Sequence, residues 1–296
     1  MTLATSGAVN IMVTPFEADG ALDTVSLERT ATWAVEAGVS GVIPLGIMGE
    51  ASKLTDAERD KVVDRVVAAA SGRASVIPGC TGDSVILALA RIRRAAGLGA
   101  DAAMVAPPRA AQTPMMQLEY YTAVADQSPV PLVLQDEPVT TGVVMQAATL
   151  AALSRHENVL SIKVEQVPSP KKVSDILAEE PGALCFGGLG GLYLFEELER
   201  GAVGVMTGFA YPDVLAQVVA LHRAGDRDAA RERFYHWLPI IRYEAQLGVG
   251  GVSIRKQILA ERGIIAHSTV RAPAPAADPL VIDEIRDMIR LLEASA

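Results

Sequence analysis

The sequence predicts an α/β fold, specifically a (β/α)8 TIM barrel with a C-terminal helical extension. Short apolar runs alternate with longer amphipathic stretches from residue 8 to about residue 224, and the number of such pairs is close to eight. The chain has 296 residues, of which 50% are hydrophobic, so it can bury the core of one large barrel. After residue 212 the pattern becomes purely helical. We therefore expect a barrel over residues 1–224 and a helical extension over residues 225–296 that packs on it.

The barrel strands are predicted from short apolar runs that turn residues separate. In chain order they cover residues 8–13, 41–45, 75–78, 102–106, 131–135, 159–163, 183–186 and 201–206. Helical periodicity lies between them, for example over residues 56–69 and 84–96, and Thr55 and Glu58 form a capping box at the first of these. An Ala/Pro linker at residues 272–275 precedes a last amphipathic helix over residues 280–292.

Composition excludes several classes of protein. The net charge is -9 and no basic cluster occurs, which argues against nucleic acid as a partner. No apolar run approaches the ~20 residues that a membrane-spanning helix needs. The first five residues lack the basic and apolar regions of a secretory signal, so we expect a cytoplasmic protein without a membrane partner.

Metal and disulfide sites are also not indicated. Cys80 and Cys185 are isolated thiols, which are typical of small buried hydrophobic side chains. The four histidines lie at predicted helix ends or in the C-terminal extension without metal-ligand spacing: they are His156, His222, His236 and His267. We expect no metal and no cofactor.

Lys163 is the most informative residue of the chain. The five other lysines have charged or polar neighbours that suit a solvated surface: they are Lys53, Lys61, Lys171, Lys172 and Lys256. Lys163 instead lies within an apolar run that predicts a buried parallel strand, where an unpaired ammonium is costly. Such a lysine either pairs with a carboxylate, here Glu165 or Asp136, or loses its proton and becomes a nucleophile toward ketones.

Glu165 follows Lys163 by two positions, so the period of a strand puts both side chains on the same side. Once an amine condenses with a 2-oxo acid, the iminium acidifies the adjacent carbon, and a nearby carboxylate can move that proton. Glu165 is therefore the candidate base. A role as counter-ion of Lys163 is the alternative, and the two roles are compatible.

Other candidates lie at the carboxyl ends of predicted strands, where barrel enzymes have their active sites. The loop that contains Gly46, Ile47, Met48 and Gly49 leaves amides free to approach a carboxylate, although glycines after a strand also simply turn the chain. Ile47 and Met48 are expected to line the pocket without contributing protons.

Strand five ends in three polar residues, Gln135, Asp136 and Glu137. Gln135 and Glu137 share one face of the strand and Asp136 takes the other, so only one set can point into the barrel mouth. Capping and solvation of a loop is the alternative role for Asp136 and Glu137.

The loops after strands seven and eight complete the set of candidates. They contain Gly188, and Thr207 with Gly208, and are expected to supply room and backbone groups to a substrate. Arg109, after strand four, can act either as a carboxylate clamp or as an ordinary exposed arginine.

The chain resembles the dihydrodipicolinate synthase and N-acetylneuraminate lyase superfamily, class I Schiff-base lyases on a (β/α)8 barrel. Lys163 lies 28 positions after Gln135, which matches that family's spacing between its strand-five tyrosine and its imine-forming lysine. The matching segments run nearly end to end: Thr14-Pro15-Phe16, the loop from Gly46 to Glu50, Leu54-Thr55-Asp56-Ala57-Glu58-Arg59, Pro138 with Thr141-Gly142, and Ile162-Lys163.

Departures from the family pattern bear on the substrate. Ile47-Met48 replaces the usual threonine pair, and Gln135-Asp136 replaces the usual Tyr-Asn, so the usual proton relay is missing. Thr140 stands where true dihydrodipicolinate synthases bind substrate with an arginine, which argues against that activity.

The branch of 2-keto-3-deoxy-L-arabonate dehydratase-like proteins is more similar. It carries Gln-Asp on strand five, Lys-x-Glu on strand six and a C-terminal stretch like residues 237–241 of this chain. This resemblance implies that Glu165 replaces the tyrosine as acid/base, that Gln135 belongs to the catalytic group and that Asp136 and Gly188 border the substrate. It also implies a homo-oligomer, a dimer or tetramer.

We therefore expect a cofactor-independent lyase that acts on a small 2-oxo acid, favouring dehydration of a 2-keto-3-deoxy sugar acid. Retro-aldol cleavage of a 4-hydroxy-2-oxo acid uses the same enamine chemistry and is the first alternative. A non-catalytic paralogue that only binds a 2-oxo acid is the second. Retention of a strand-buried lysine with a carboxylate two positions on argues against that second alternative.

Overall fold

The computed structural model describes residues 3–245 and 249–294 and confirms the predicted barrel. Eight parallel strands alternate with helices. The strands are β1 (Gly7–Ile11), β2 (Gly41–Ile43), β3 (Ser75–Val76), β4 (Ala103–Val105), β5 (Leu132–Asp136), β6 (Val159–Val164), β7 (Leu184–Gly187) and β8 (Gly204–Thr207). They lie within or close to the predicted runs, and most are shorter because the ends of those runs already turn toward the loops.

The sheet closes on itself. Its strand order is β3-β2-β1-β8-β7-β6-β5-β4, so β1 lies between β2 and β8. The two ends of this order meet through a parallel bridge between Gly79 and Met104. The Met104 amide donates to the Pro78 carbonyl at 2.9 Å, and the Cys80 amide donates to the Met104 carbonyl at 2.8 Å. All eight carboxyl ends therefore face one mouth.

Helices cover the outside of the barrel and continue beyond it. They are α1 (Thr24–Glu36), α2 (Asp56–Ala70), α3 (Val85–Gly97), α4 (Pro114–Gln127), α5 (Pro138–Thr141), α6 (Ala147–Ser154), α7 (Ser169–Ala178), α8 (Leu194–Glu199), α9 (Pro212–Arg223), α10 (Arg227–Glu244), α11 (Val249–Glu261) and α12 (Pro279–Ala294). The predicted capping box is present, since the Glu58 amide donates to Thr55 Oγ1 and the Thr55 amide donates to the Glu58 carboxylate. Short 3-10 helices follow β2 at Ile47–Gly49 and Ala51–Lys53, and β7 at Leu189–Gly191.

Alternation along the strands divides the core into two layers. One cluster fills the barrel interior, with Ile11, Ile43, Val133 and Phe186 among its members. The larger cluster lies between the strands and the surrounding helices, and both thiols, Cys80 and Cys185, are buried there. Side chains at the carboxyl end of the interior layer therefore point directly into the mouth.

The C-terminal helices pack on this barrel. Helix α10 lies against α8, α9 and α12, and its Phe234, Ile240 and Ile241 are fully buried. Helix α11 contacts the 3-10 helix Ile47–Gly49 that follows β2. The extension thus reaches the mouth of the barrel.

Two lysines that were expected at the surface are buried. Lys172 has 9% of its surface exposed and donates to the Met145 carbonyl and to Gln166 Oε1. Lys256 is fully buried and its Nζ lies 2.5 Å from Glu50 Oε1. The surface prediction was wrong for both because polar neighbours in sequence do not show which face of a helix packs inward.

Among the described residues, no helix has both the length and the apolar character needed to cross a membrane.

Candidate active site

A cavity opens at the carboxyl ends of the strands. Lys163 of β6 and Gln135 of β5 line it, together with Thr207 and Gly208 at the end of β8. Ile47 and Met48, from the loop after β2, line it on another side. These four separate barrel strands or loops thus contribute to one small space, which is the arrangement by which barrel enzymes assemble a site.

Lys163 and Glu165 form an ion pair inside this cavity. Lys163 Nζ and Glu165 Oε2 are 2.9 Å apart, and only 5% and 11% of the two side chains are exposed. The expectation of a paired lysine with a carboxylate two positions on is therefore met in the geometry, and the partner is Glu165 rather than Asp136. An amine in contact with a carboxylate can pass a proton to it and attack a carbonyl.

Three groups fix the Glu165 carboxylate. Besides Lys163, Gln135 Nε2 donates to Oε2 at 2.9 Å, and the Leu189 amide donates to Oε1 at 3.2 Å. Gln135 therefore touches the carboxylate and has no titratable proton of its own to relay. These contacts hold Glu165 in one orientation beside the amine.

Gly188 makes room for this carboxylate. A Cβ atom at position 188 would lie 2.4 Å from Glu165 Cγ and 2.9 Å from its Cδ. No side chain fits there unless Glu165 moves. Gly188 was expected to border the substrate, whereas the structure places it against Glu165.

The loop after β2 borders the cavity through Ile47 and Met48. The amides of Ile47 and Met48 lie in the first turn of the 3-10 helix, where N–H groups have no acceptor within the helix. Gly46 borders a neighbouring cavity that Ile47 also lines. Gly49 faces the interior, since its carbonyl accepts from Thr14 Oγ1 at 2.6 Å and a Cβ atom there would lie 3.1 Å from the Met12 carbonyl.

Asp136 does not reach the cavity, which corrects its expected role in binding substrate. Its carboxylate is fully buried on the outer face of β5, 3.8 Å from Lys172 Nζ. The alternation that separates Asp136 from Gln135 decides this placement. Burial raises the pKa of Asp136 to about 7, against the effect of Lys172.

Glu137 shares the Gln135 face and lines the cavity. It is buried, and the Thr140 amide donates to its Oε2 at 2.9 Å. Burial raises the pKa of Glu137, and the neighbouring charge of Glu165 acts in the same direction. The site therefore holds two carboxyl groups in different settings, one paired with an amine and one whose pKa is raised by burial.

Arg109 is exposed and lines the neighbouring cavity rather than the one that contains Lys163.

The sequence did not single out Glu244 at the end of α10 or Arg255 of α11, and both line the Lys163 cavity. Both belong to helices far along the chain, so no strand-end pattern marks them. The described residues contain no group of three or more His, Cys, Asp or Glu side chains that could hold a metal ion.

Comparison with known proteins shows to which family this chain belongs. Residues 4–290 match the model of the dihydrodipicolinate synthetase family. The chain belongs to this family. Its members are class I lyases that work through a lysine Schiff base without a cofactor and act on small 2-oxo acids, so the chain is a carbon–oxygen or carbon–carbon lyase.

Several family members are similar over their full length. L-2-keto-3-deoxyarabonate dehydratase of Azospirillum brasilense is 30% identical over 294 residues, covering 97% of this chain and 94% of the relative. A 4-hydroxy-tetrahydrodipicolinate synthase of Xanthomonas axonopodis pv. citri is 31% identical over 296 residues, with 96% of both chains covered. The crystal structure of dihydrodipicolinate synthase from Rhodopseudomonas palustris is similar with a TM-score of 0.92 and 34% identity, covering 98% of both chains.

Proposed function

We propose that this protein dehydrates a short 2-oxo acid that carries a hydroxyl at C4, of the 2-keto-3-deoxy sugar acid type, and that Lys163 forms the imine. The observation that carries this proposal is the 2.9 Å separation between Glu165 Oε2 and Lys163 Nζ. In an imine the nitrogen is bonded to C2, so a carboxylate in contact with it is also within reach of the hydrogens on C3. A base at C3 is what elimination needs.

The reaction begins when the Lys163 amine adds to the C2 carbonyl and water leaves, which forms a C2=N iminium. The substrate carboxylate is placed against the Ile47 and Met48 amides. Glu165 takes a proton from C3, and the electron pair of the C3–H bond forms the enamine. The enamine then expels the C4 hydroxyl, and hydrolysis of the imine releases a 2-oxo-3-ene acid. The balance is the loss of one water molecule.

Glu137 supplies the second proton transfer in this proposal. A hydroxyl leaves far more readily as water, and a carboxyl that keeps its proton can donate it. Glu137 lines the same cavity, and burial raises its pKa toward the range in which a carboxyl can act as an acid. Replacement of the usual tyrosine by Gln135, which holds Glu165 by a hydrogen bond, is consistent with a proton path through two carboxyl groups.

Retro-aldol cleavage needs the base at a different atom of the substrate. It requires a base at the C4 hydroxyl rather than at C3, and the C3–C4 bond breaks to release pyruvate and an aldehyde. The contact of Glu165 with the lysine nitrogen favours C3 as the site of proton removal. The similarity to L-2-keto-3-deoxyarabonate dehydratase supports the same choice.

The test combines trapping with product analysis. The protein is incubated with a 2-keto-3-deoxypentonate and, in a separate sample, with pyruvate. Each sample is reduced with borohydride and mapped by peptide mass. The reaction with the 2-keto-3-deoxypentonate alone, without borohydride, is followed by proton NMR. We expect an adduct on Lys163, loss of the C4 carbinol proton and no pyruvate. Lys163→Ala should form no adduct, whereas Lys61→Ala, at an exposed lysine, should behave as the wild type.

Two results would contradict the proposal. Release of pyruvate with an aldehyde would replace dehydration by aldol cleavage. A folded protein that gives no adduct with any member of a panel of 2-keto-3-deoxy acids would leave a binding protein in place of an enzyme for these ligands.

A further inference from the structure

Arg255 is a buried cation that the reaction described above does not use. It lies on α11, and 2% of its surface is exposed. It lines the same cavity as Lys163. Its Nε donates to Glu244 Oε1 at 2.5 Å, whereas its Nη1 is buried without a hydrogen-bond partner among the described residues. Buried donors in proteins are nearly always bonded, so this nitrogen calls for an acceptor that the described part of the chain does not supply.

Glu244 orients Arg255 and balances its charge. The Ala210 amide donates to both Glu244 oxygens, at 3.1 and 3.0 Å, and the carboxylate is buried. With one oxygen also bound by Arg255 Nε, Glu244 fixes the plane of the guanidinium. The Arg255–Glu244 pair has no net formal charge, and Glu244 does not bind the Nη1 donor of Arg255.

Gly208 leaves the space that this nitrogen occupies, and both residues line the cavity. A Cβ atom at position 208 would lie 2.7 Å from Arg255 Nη1 and 2.5 Å from the Ile11 carbonyl. Nη1 therefore lies directly over the carboxyl end of β8. This strand is two places from β6, which carries Lys163. Two strand spacings are roughly 10 Å along the barrel wall, so Arg255 is set apart from the imine and not beside it.

The charges around the cavity favour an uncharged acceptor. Its lining contains two cationic side chains, Lys163 and Arg255, and three carboxyl groups, Glu137, Glu165 and Glu244. A 2-oxo acid adds one more carboxylate. A second carboxylate on the substrate would add repulsion next to Glu244, whereas a hydroxyl oxygen accepts one hydrogen bond without adding charge.

We propose that Arg255 is a specificity-determining residue that donates through Nη1 to a hydroxyl at the end of the substrate remote from its keto group. This inference rests on the proposed function, because it takes C2 of the substrate to be bound at Lys163. It narrows the substrate class to 2-oxo acids with a hydroxylated, uncharged distal end. Glu244 is the residue that positions Arg255 for this role.

Three substrates of equal length test the inference on the unmodified protein. They share a 2-oxo acid and a C4 hydroxyl and differ only at C5: a 2-keto-3-deoxypentonate has a hydroxymethyl group, 4-hydroxy-2-oxopentanoate a methyl group and 4-hydroxy-2-oxoglutarate a carboxylate. We expect kcat/KM for the hydroxymethyl compound to exceed that for the methyl compound by about 10- to 100-fold, which is typical of a hydrogen bond to a charged group. The dicarboxylate should be the poorest.

Variants then assign this preference to Arg255. Arg255→Met should bring the hydroxymethyl-to-methyl ratio of kcat/KM close to one, chiefly by raising KM for the hydroxymethyl compound. A purely structural loss would lower both values and leave the ratio unchanged. Arg255→Met combined with Glu244→Gln removes the uncompensated buried carboxylate and provides the same measurement if the single variant does not fold. Arg231→Met, at an exposed arginine of α10, should keep the wild-type ratio.

The outcomes separate the two proposals. Equal kcat/KM for the hydroxymethyl and methyl compounds, a preference for the dicarboxylate, or a ratio that survives in both Arg255 variants would overturn the role of Arg255 while leaving the lyase mechanism intact. Failure of wild-type protein to form a borohydride-reducible pyruvate adduct on Lys163 would overturn both.

Discussion

Glu165 is the residue on which the proposed chemistry depends, and its position is determined by what surrounds it. Lys163, Gln135 and the Leu189 amide hold the carboxylate, and Gly188 leaves the space that it fills. The base is thus preorganised beside the amine rather than brought there by the substrate.

A change at position 188 should therefore impair catalysis without replacing a catalytic group. Gly188→Ala places a methyl group 2.4 Å from Glu165 Cγ, so the carboxylate must move. Displacement of a base by about 1 Å costs on the order of 100-fold in rate. We expect kcat to fall by about that factor while the pyruvate adduct on Lys163 still forms.

Steady-state kinetics and borohydride trapping of the same preparation check this prediction. Gly97→Ala, at the end of α3, is the control, because a Cβ atom there meets no other atom within 4 Å. Wild-type turnover in Gly188→Ala would show that the placement of Glu165 is not critical.

At the scale of single elements, the loop after β2 depends on the C-terminal extension. Lys256 of α11 donates to Glu50 Oε1 at 2.5 Å, and Lys53 donates to Glu50 Oε2 at 2.8 Å. The Arg271 amide also donates to Oε2, at 3.0 Å. Glu50 has a left-handed backbone conformation, with φ 53°, at the junction of the two 3-10 helices. The buried carboxylate therefore anchors the loop that carries Ile47 and Met48.

Loss of the Lys256 cation should destabilise the protein through this loop. Lys256→Met leaves Glu50 buried with less compensation, and breaking one side of a buried ion pair costs about 3 kcal/mol. Urea unfolding should show that decrease, with weaker binding of pyruvate measured by calorimetry. The double variant Lys256→Met/Glu50→Gln should recover part of the stability, because it removes the unpaired charge.

Lys61→Met, on the exposed side of α2, provides the comparison for the methionine substitution itself. A free energy of unfolding for Lys256→Met within about 0.5 kcal/mol of the wild type, the range of an ordinary surface change, would mean that the pair does not hold the loop.

At the scale of the whole molecule, two buried carboxyl groups give the stability an unusual dependence on pH. Burial raises the pKa of Asp136 to about 7 and that of Glu197 to about 8. Both values lie above those of an unfolded chain, so the folded state binds these protons more tightly. The contribution of these two groups to the free energy of unfolding is complete below about pH 4 and is lost as the pH rises through 7 and 8.

Unfolding experiments between pH 5 and pH 8 should therefore show stability falling as the pH rises, by up to about 1.4 kcal/mol per pH unit for each group. Glu197→Gln should flatten this dependence, since the amide retains a donor and acceptor without titrating. Glu119→Gln, at an exposed position on α4, should leave it unchanged. A wild-type stability that rises over this range would indicate that other groups dominate.

The sequence predicted the parts of the site that follow from strand periodicity. Lys163, Glu165 and Gln135 could be placed together because each lies at the carboxyl end of a buried strand, where alternation decides the direction of the side chain. The same rule could have assigned Glu137 to the cavity and Asp136 to the outer face once the inward position of Gln135 was chosen.

Arg255 and Lys256 could not be found in this way. They lie on a helix some ninety residues after β6, and which helical face meets the barrel depends on packing between distant segments. The role of Gly188 was equally hidden, because a glycine in sequence does not show which side chain occupies the space that it leaves. These residues require three-dimensional positions rather than patterns.

The contact between Gly188 and Glu165 also constrains how the two positions can change during evolution. A side chain at position 188 cannot coexist with the Glu165 carboxylate in its present position. A substitution of Gly188 during evolution therefore requires that Glu165 move or be replaced. Relatives that place a polar side chain at 188 for their substrates should therefore lack this glutamate. In an alignment, the two positions should co-vary and sort the barrel lyases into two groups by the source of their proton.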